Sequence, residues 1–144
     1  MTVRSVRANN PGNIRQGAPW KGLMAPEAMS PEQKAETAFC VFQSPVYGFR
    51  AMGIILLNYE LLHGLKTIEG YIDRWAPPNE NNTGAYVAHV ADFCHVAPTA
   101  RFDLRKPDYL AQILKAIAIH EAGSWLFTDA DLVSGVQMAL ADTK

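Results

Sequence analysis

One stretch constrains the fold of this chain more than any other, the fourteen letters LAQILKAIAIHEAG from Leu110 to Gly123. Its apolar residues recur at spacings of three and four, which predicts a helix with one buried face. These residues are Leu110, Ile113, Leu114 and Ile117. The glycine at the end of the stretch favours the end of the helix at that point.

Glu121 lies four residues after Ile117 and therefore falls on the same apolar face. Burial disfavours the charged form of a carboxylate, so Glu121 is expected to have either a partner or a proton. Two interpretations remain open. The residue is a general acid facing the loop after the helix, or it is a structural residue held by an arginine or by backbone amides.

Length and composition indicate a globular chain with a core of its own. The 144 residues suit one domain, 1–144, and 49% of them are hydrophobic while 19% are charged. The net charge of −1 argues against a dedicated nucleic-acid-binding protein, which usually carries a basic face.

The N-terminus lacks the apolar run of a signal peptide, and the longest uncharged apolar stretch, Ala51 to Tyr59, is too short to span a bilayer. We therefore expect a protein without a membrane span that is made in a cytoplasm. Cys40 and Cys94 sit in apolar company, which predicts free, buried and unreactive thiols.

The remaining pattern predicts a mostly α domain with at least five helices and little β structure. Val46 to Leu62 is apolar almost all round, so its helix belongs in the centre of the core, and Gly64 is predicted to end it. Residues 1–45 are mostly irregular, with a dense turn signal at 9–13 and a short strand predicted over Ala38 to Gln43. The residues predicted to cap later helices are Thr67, Thr83, Asp108 and either Thr128 or Asp129.

No metal or other cofactor is predicted. The zinc-protease pattern needs a second histidine four residues after the first, but four residues after His120 stands Ser124. The spacing of His89 and His95 is also wrong for a shared site.

The loop from Ala76 to Asn82 brings together residues suited to a sugar cleft. Trp75, Glu80 and Tyr86 flank or belong to it, and sugars in general stack on rings and bind amides and acids. The alternative is an ordinary loop whose polar residues only cap the next helix.

Several motifs resemble a family of phage and prophage virion proteins, which are described as structural or lysozyme-like. The match runs over nearly the whole chain, and one departure is Ala122 where the family has Asn after the His-Glu pair. The matching motifs are Asn9 to Arg15, Trp20, Gly22, Phe39 to Phe42, Gly48 to Ala51, Arg74 to Pro77, Glu80 to Thr83, Tyr86, and His120 with Glu121.

A second resemblance concerns mechanism. The segment Ala116 to Ser124 is similar to the helix that ends in the catalytic glutamate of lytic transglycosylases and bacterial glucosaminidases. Asn10 to Arg15, Phe39 to Ser44 and Thr83 to Tyr86 resemble later parts of glucosaminidases in the same order. Because the glutamate helix comes last here, the resemblance implies a lysozyme-like fold that is circularly permuted. It then also implies that Glu121 lies near residues 10–15.

These resemblances imply an enzyme that cleaves the glycan backbone of peptidoglycan, with Glu121 protonating the glycosidic oxygen. A transglycosylase would use this acid alone, whereas a hydrolase needs a second carboxylate, for which Glu80 is the candidate and Glu36 the reserve. The residues assigned to substrate binding or to stabilising charge are Asn10, Asn13, Arg15, Trp75, Asn82, Tyr86 and His120.

The expected partners are peptidoglycan strands and other virion proteins, and we expect a monomer that acts in the periplasm or travels in a virion. A non-enzymatic virion or tail protein with the same fold is the first alternative. A small regulatory or host-takeover protein is the second.

Overall fold

The protein is all-helical in the computed structural model, which describes residues 3–143. The described residues form α1 (Arg4–Arg7), α2 (Pro31–Lys34), α3 (Pro45–His63), α4 (Ile68–Trp75), α5 (Thr83–Phe93), α6 (Pro107–Ala122) and α7 (Asp129–Asp142), with a 3-10 turn at Pro26–Ala28. The prediction of a mostly α fold with at least five helices is confirmed.

Helix α3 is the centre of the core, as its apolar sequence predicts. Phe49, Met52 and Leu56 are fully buried on it. It packs most extensively along α7, and also against α4 and α6. Gly135 makes the close approach to α7 possible, because a β-carbon there would lie 2.5 Å from Cβ of Phe49.

The predicted helix ends are mostly found. Gly64 ends α3 and Gly123 ends α6, both in the left-handed conformation. Thr67 caps α4 by accepting a hydrogen bond from the Gly70 amide, and Thr128 caps α7. The stretch 110–117 lies inside α6 with its apolar face fully buried.

Two capping predictions are wrong. Asn82 caps α5, while the hydroxyl of Thr83 donates instead to the carbonyl oxygen of Ala76 at 2.6 Å and ties the helix to the preceding loop. Helix α6 begins at Pro107, one residue before Asp108, because the fixed φ of proline suits the first helical position.

The predicted strand over Ala38 to Gln43 is also wrong. Within residues 3–143 this segment forms only isolated antiparallel bridges, Arg15 with Phe39 and Leu23 with Phe42. The facing segment contains Gly17 and Gly22, both at positive φ, so the pairing cannot extend between the two bridges.

Cys40 and Cys94 are free and buried, as predicted. Burial raises the pKa of the Cys94 thiol to about 12, so it stays protonated near neutral pH. No helix in the described range combines the length and the apolar character needed to cross a bilayer.

Candidate active site

Glu121 lies in the last turn of α6, half-buried, with both carboxylate oxygens held by neutral donors. Its Oε1 accepts a hydrogen bond from Nδ2 of Asn13 at 3.0 Å, and its Oε2 accepts one from the Tyr86 hydroxyl at 2.7 Å. The predicted approach of Glu121 to residues 10–15 is therefore found. The interpretation in which an arginine or backbone amides hold this residue is wrong, because its partners are an amide side chain and a phenol.

The turn that presents Asn13 is built by Asn10. The Asn10 side chain is fully buried and makes three hydrogen bonds, donating to the carbonyl oxygens of Ile14 and Cys40 and accepting from the Ile14 amide. The assignment of Asn10 to substrate binding is wrong, because the side chain is inaccessible and occupied by these backbone groups.

Asn13 itself has a free acceptor. Its φ of 49° is a left-handed conformation that asparagine tolerates better than most residues. While Nδ2 donates to Glu121, the Oδ1 atom is buried and has no hydrogen-bond partner among the described residues. Asn13 also lines the neighbouring cleft, while its Oδ1 is closed to solvent.

Tyr86 supports Glu121 from inside the protein. It is 2% exposed, and the Trp75 side chain hydrogen-bonds its hydroxyl. Burial, followed by the negative charge of Glu121 and its hydrogen bond, raises the pKa of Tyr86 far above its usual value. The phenol therefore remains a donor, and it fixes the direction in which the carboxylate points.

His120 packs behind this phenol. Its ring stacks on Tyr86 with centroids 3.7 Å apart, and its Nδ1 lies 2.9 Å from Nδ1 of His89. Burial, with a smaller effect from His89, lowers the pKa of His120. Neither Tyr86 nor His120 is among the residues that line the neighbouring cleft, and their assignment to substrate binding stays a prediction.

A cleft of about 460 Å³ opens beside Glu121 and Asn13. Three other predicted site residues line it: Arg15, Trp75 and Glu80. Glu80 is exposed on the loop between α4 and α5. The cleft thus combines an oriented carboxylate, an indole ring and a second carboxylate on a solvated loop.

Two other predicted residues lie outside the cleft. Asn82 caps α5 through its side-chain oxygen, which accounts for its polar group. Glu36 pairs with Arg4 at 2.6 Å and accepts from two backbone amides. The hydrogen bond from Arg4, helped by those amides, lowers the pKa of Glu36 to about 2. Glu36 is therefore a structural carboxylate and not a second catalytic acid.

Sequence reasoning did not assign Phe39, Tyr59 and Arg74 to the site, although all three line the cleft and two of them stand in motifs of the resemblance. Arg74 could have been inferred because it directly precedes Trp75. Tyr59 could have been inferred because it follows Ile55, another lining residue, by one helical turn. Phe39 gave no local signal, since it reaches the cleft only through the bridge to Arg15.

Comparison with known proteins shows similarity to a phage protein. No family model matches the sequence. The chain is 34% identical over 139 residues to Protein P5 of Pseudoalteromonas phage PM2, and the match covers 94% of this chain and 81% of that protein.

Proposed function

The chain belongs to the family of Protein P5 of Pseudoalteromonas phage PM2, and on that premise we propose that it is a phage-type enzyme cleaving the amino-sugar backbone of peptidoglycan. Glu121 is its general acid. The observation that carries the proposal is the Asn13–Glu121–Tyr86 arrangement in the wall of the cleft.

The arrangement suits proton delivery because it fixes the position of the carboxyl group. Asn13 and Tyr86 hold the two oxygens of Glu121 with uncharged donors, so no ion pair ties this group to a cation. A general acid must be held within hydrogen-bond reach of the atom that it protonates, and geometry is the first requirement. Glu121 protonates the glycosidic oxygen of a strand lying in the cleft.

The lining of the cleft suits a sugar ring. Its volume of about 460 Å³ falls in the usual range for ligand pockets, and Trp75 offers a ring on which a pyranose can stack.

The reaction can follow two courses after Glu121 protonates the glycosidic oxygen. Glu80 is the other carboxylate that lines the cleft in the part of the chain that the structure describes. In a hydrolase it serves as the second carboxylate. In a transglycosylase Glu121 acts alone, first as acid and then as base, and the 6-hydroxyl or the acetamido group of the substrate completes the reaction.

The test is lysis of permeabilised Gram-negative cells, followed by turbidity, with wild type and Glu121→Gln. Glutamine keeps an acceptor for Asn13 but cannot donate a proton, so we expect a loss of about a hundred- to ten-thousand-fold in rate. The melting temperature should change little, because the variant loses at most about one hydrogen bond, roughly 1 kcal/mol.

Glu27→Gln is the matched control, since this exposed carboxylate lies outside the cleft and should leave lysis unchanged. Glu80→Gln separates the two courses, because only a hydrolase loses most of its activity with it. A fully lytic Glu121→Gln protein would overturn the assignment of the acid. A wild type that binds glycan without lysing cells would favour a non-enzymatic virion component.

A further inference from the structure

We infer that Arg15 and Arg74 form a carboxylate-binding pair, an inference that rests on the proposed function. The pair selects acidic, peptide-bearing glycan strands over neutral amino-sugar polymers. Both residues line the cleft that contains Glu121, and they come from different parts of the chain. Arg15 follows the turn of Asn13, and Arg74 lies on α4.

The two cleft arginines have unused donors, whereas the donors of three other arginines are occupied. Arg4 pairs with Glu36 and Arg50 with Asp142, while Arg105 donates to the carbonyl oxygen of Thr143. Within residues 3–143, neither Arg15 nor Arg74 has a side-chain hydrogen bond or an ion pair. Five N–H donors on each guanidinium group are therefore free for a ligand.

Aromatic rings hold both groups in place. The guanidinium carbon of Arg15 lies 5.5 Å from the ring centroid of Phe39, and that of Arg74 lies 5.5 Å from the ring centroid of Tyr59. Arg15 is further fixed by its backbone bridge to Phe39. Contact with a ring limits the conformations of the free side chain, so less conformational entropy is lost when the side chain binds a ligand.

The acid in the cleft does not use these donors. Both oxygens of Glu121 accept hydrogen bonds from Asn13 and Tyr86, so this carboxylate forms no ion pair with either arginine. Glu80 is exposed on its loop and makes no ion pair in the described part of the chain. A planar guanidinium group matches a carboxylate in geometry and charge, and the bidentate pair is the strongest form of this contact.

Peptidoglycan supplies carboxylates where a neutral polymer does not. Its muramic acid residues carry a lactyl carboxyl group, which is either free or extended by a peptide with its own carboxylates. A chitin oligomer has the same acetamido sugars without any of these charges. The arginine pair therefore gives a physical basis for preferring the first substrate.

The test measures binding to the Glu121→Gln protein by calorimetry, with two probes: a purified disaccharide tetrapeptide from peptidoglycan and tetra-N-acetylchitotetraose. Arg15→Gln and Arg74→Gln should each weaken binding of the muropeptide about tenfold, while binding of the neutral oligomer stays within twofold. Arg101→Gln is the control, because Arg101 is exposed and lies outside the cleft.

The outcomes separate this inference from the proposed function. Equal losses for both probes, or no loss for either, would overturn the arginine pair even where Glu121→Gln has abolished lysis. A selective loss for the muropeptide supports the pair even where Glu121→Gln remains lytic and the assignment of the acid fails. Rescue of muropeptide binding by Arg15→Lys to wild-type affinity would contradict bidentate recognition, because lysine acts as a point charge.

Discussion

Two regions of this molecule are stabilised in different ways, the irregular segment 8–44 and the helical body 45–142. The body buries large apolar side chains between helices, with Phe49 and Leu56 fully enclosed. The irregular segment relies on side-chain amides that bind backbone groups, as Asn9 does with the carbonyl oxygen of Phe42 and Asn10 with three partners.

The candidate site lies where these two regions meet. The body supplies the acid and the phenol behind it, Glu121 and Tyr86, while the irregular segment supplies Asn13 and Arg15. Apolar packing places the carboxylate, and a hydrogen-bonded turn orients it. Destabilising substitutions in either region should therefore change the geometry of the site. Their effects on the stability of the rest of the molecule should differ.

The largest effect on stability should come from the contact of α3 with α7. Gly135→Ala places a β-carbon 2.5 Å from Cβ of Phe49 and 2.8 Å from the Val46 carbonyl oxygen, where backbone cannot yield cheaply. We expect a loss of about 3 kcal/mol in the free energy of unfolding, measured by chemical denaturation.

Gly84→Ala is the matched control for this substitution. Gly84 lies in α5, is exposed and has no atom within 4 Å of the added β-carbon, so the change should stabilise by about 0.5 to 1 kcal/mol. Equal effects at the two glycines would show that packing against α7 is not what holds the body together.

The next effect should come from the irregular segment. Asn10→Ala leaves the Ile14 amide and the Cys40 carbonyl oxygen without the partner that Asn10 supplies, at a cost of about 2 kcal/mol, while the Ile14 carbonyl oxygen keeps the Cys40 amide. Helical circular dichroism should persist in the native state while lytic activity falls, because the turn that presents Asn13 is lost.

Asn79→Ala serves as the comparison, since this exposed loop residue makes no side-chain hydrogen bond in the described part of the chain and should change stability by less than about 0.5 kcal/mol. An Asn10→Ala protein with wild-type stability and lysis would separate the turn from the site.

The smallest expected effect is a dependence of stability on pH, which arises from the His120 side chain beside Tyr86 and Glu121. His120 faces His89, Tyr86 and Glu121, and its pKa is lowered in the folded protein by burial and by His89. The unfolded chain then binds the proton more readily, so this contribution to stability is complete above pH 6.5 and is lost as the pH falls below that value.

The change should be less than about 1 kcal/mol, because the ring is partly exposed. Thermal unfolding between pH 7.5 and 5 measures it, and His89→Gln should flatten the curve by removing one cause of the lowered pKa. If stability depends on pH equally in that variant, His89 does not contribute to the lowered pKa of His120.

Sequence alone predicts the helical body well because its signals are local. Apolar spacing gives α6 and α3, and Gly64 and Gly123 mark where they end. The capping of α5 is less accessible, since Asn82 and Thr83 are both good caps and only the contact with the Ala76 carbonyl oxygen decides between them.

The candidate site is predictable only in part, because its two halves are far apart in the chain. The resemblance implied that Glu121 lies near residues 10–15, but it did not single out Asn13, whose contact with Glu121 spans 108 residues. Spacing could not show that Asn10 faces inward while Asn13 faces the acid, since Asn13 adopts a left-handed conformation that the pattern does not reveal. Similarly, Glu36 appeared available until its contact with Arg4 was known.

Mass spectrometry of the fragments released from purified sacculi tests the central claim most directly. The account predicts soluble disaccharide peptides from the wild type, with anhydro ends if Glu121 acts alone and reducing ends if Glu80 assists, and none from Glu121→Gln. Intact glycan strands after prolonged incubation with folded wild-type protein, or cut peptides on uncut glycan, would contradict it.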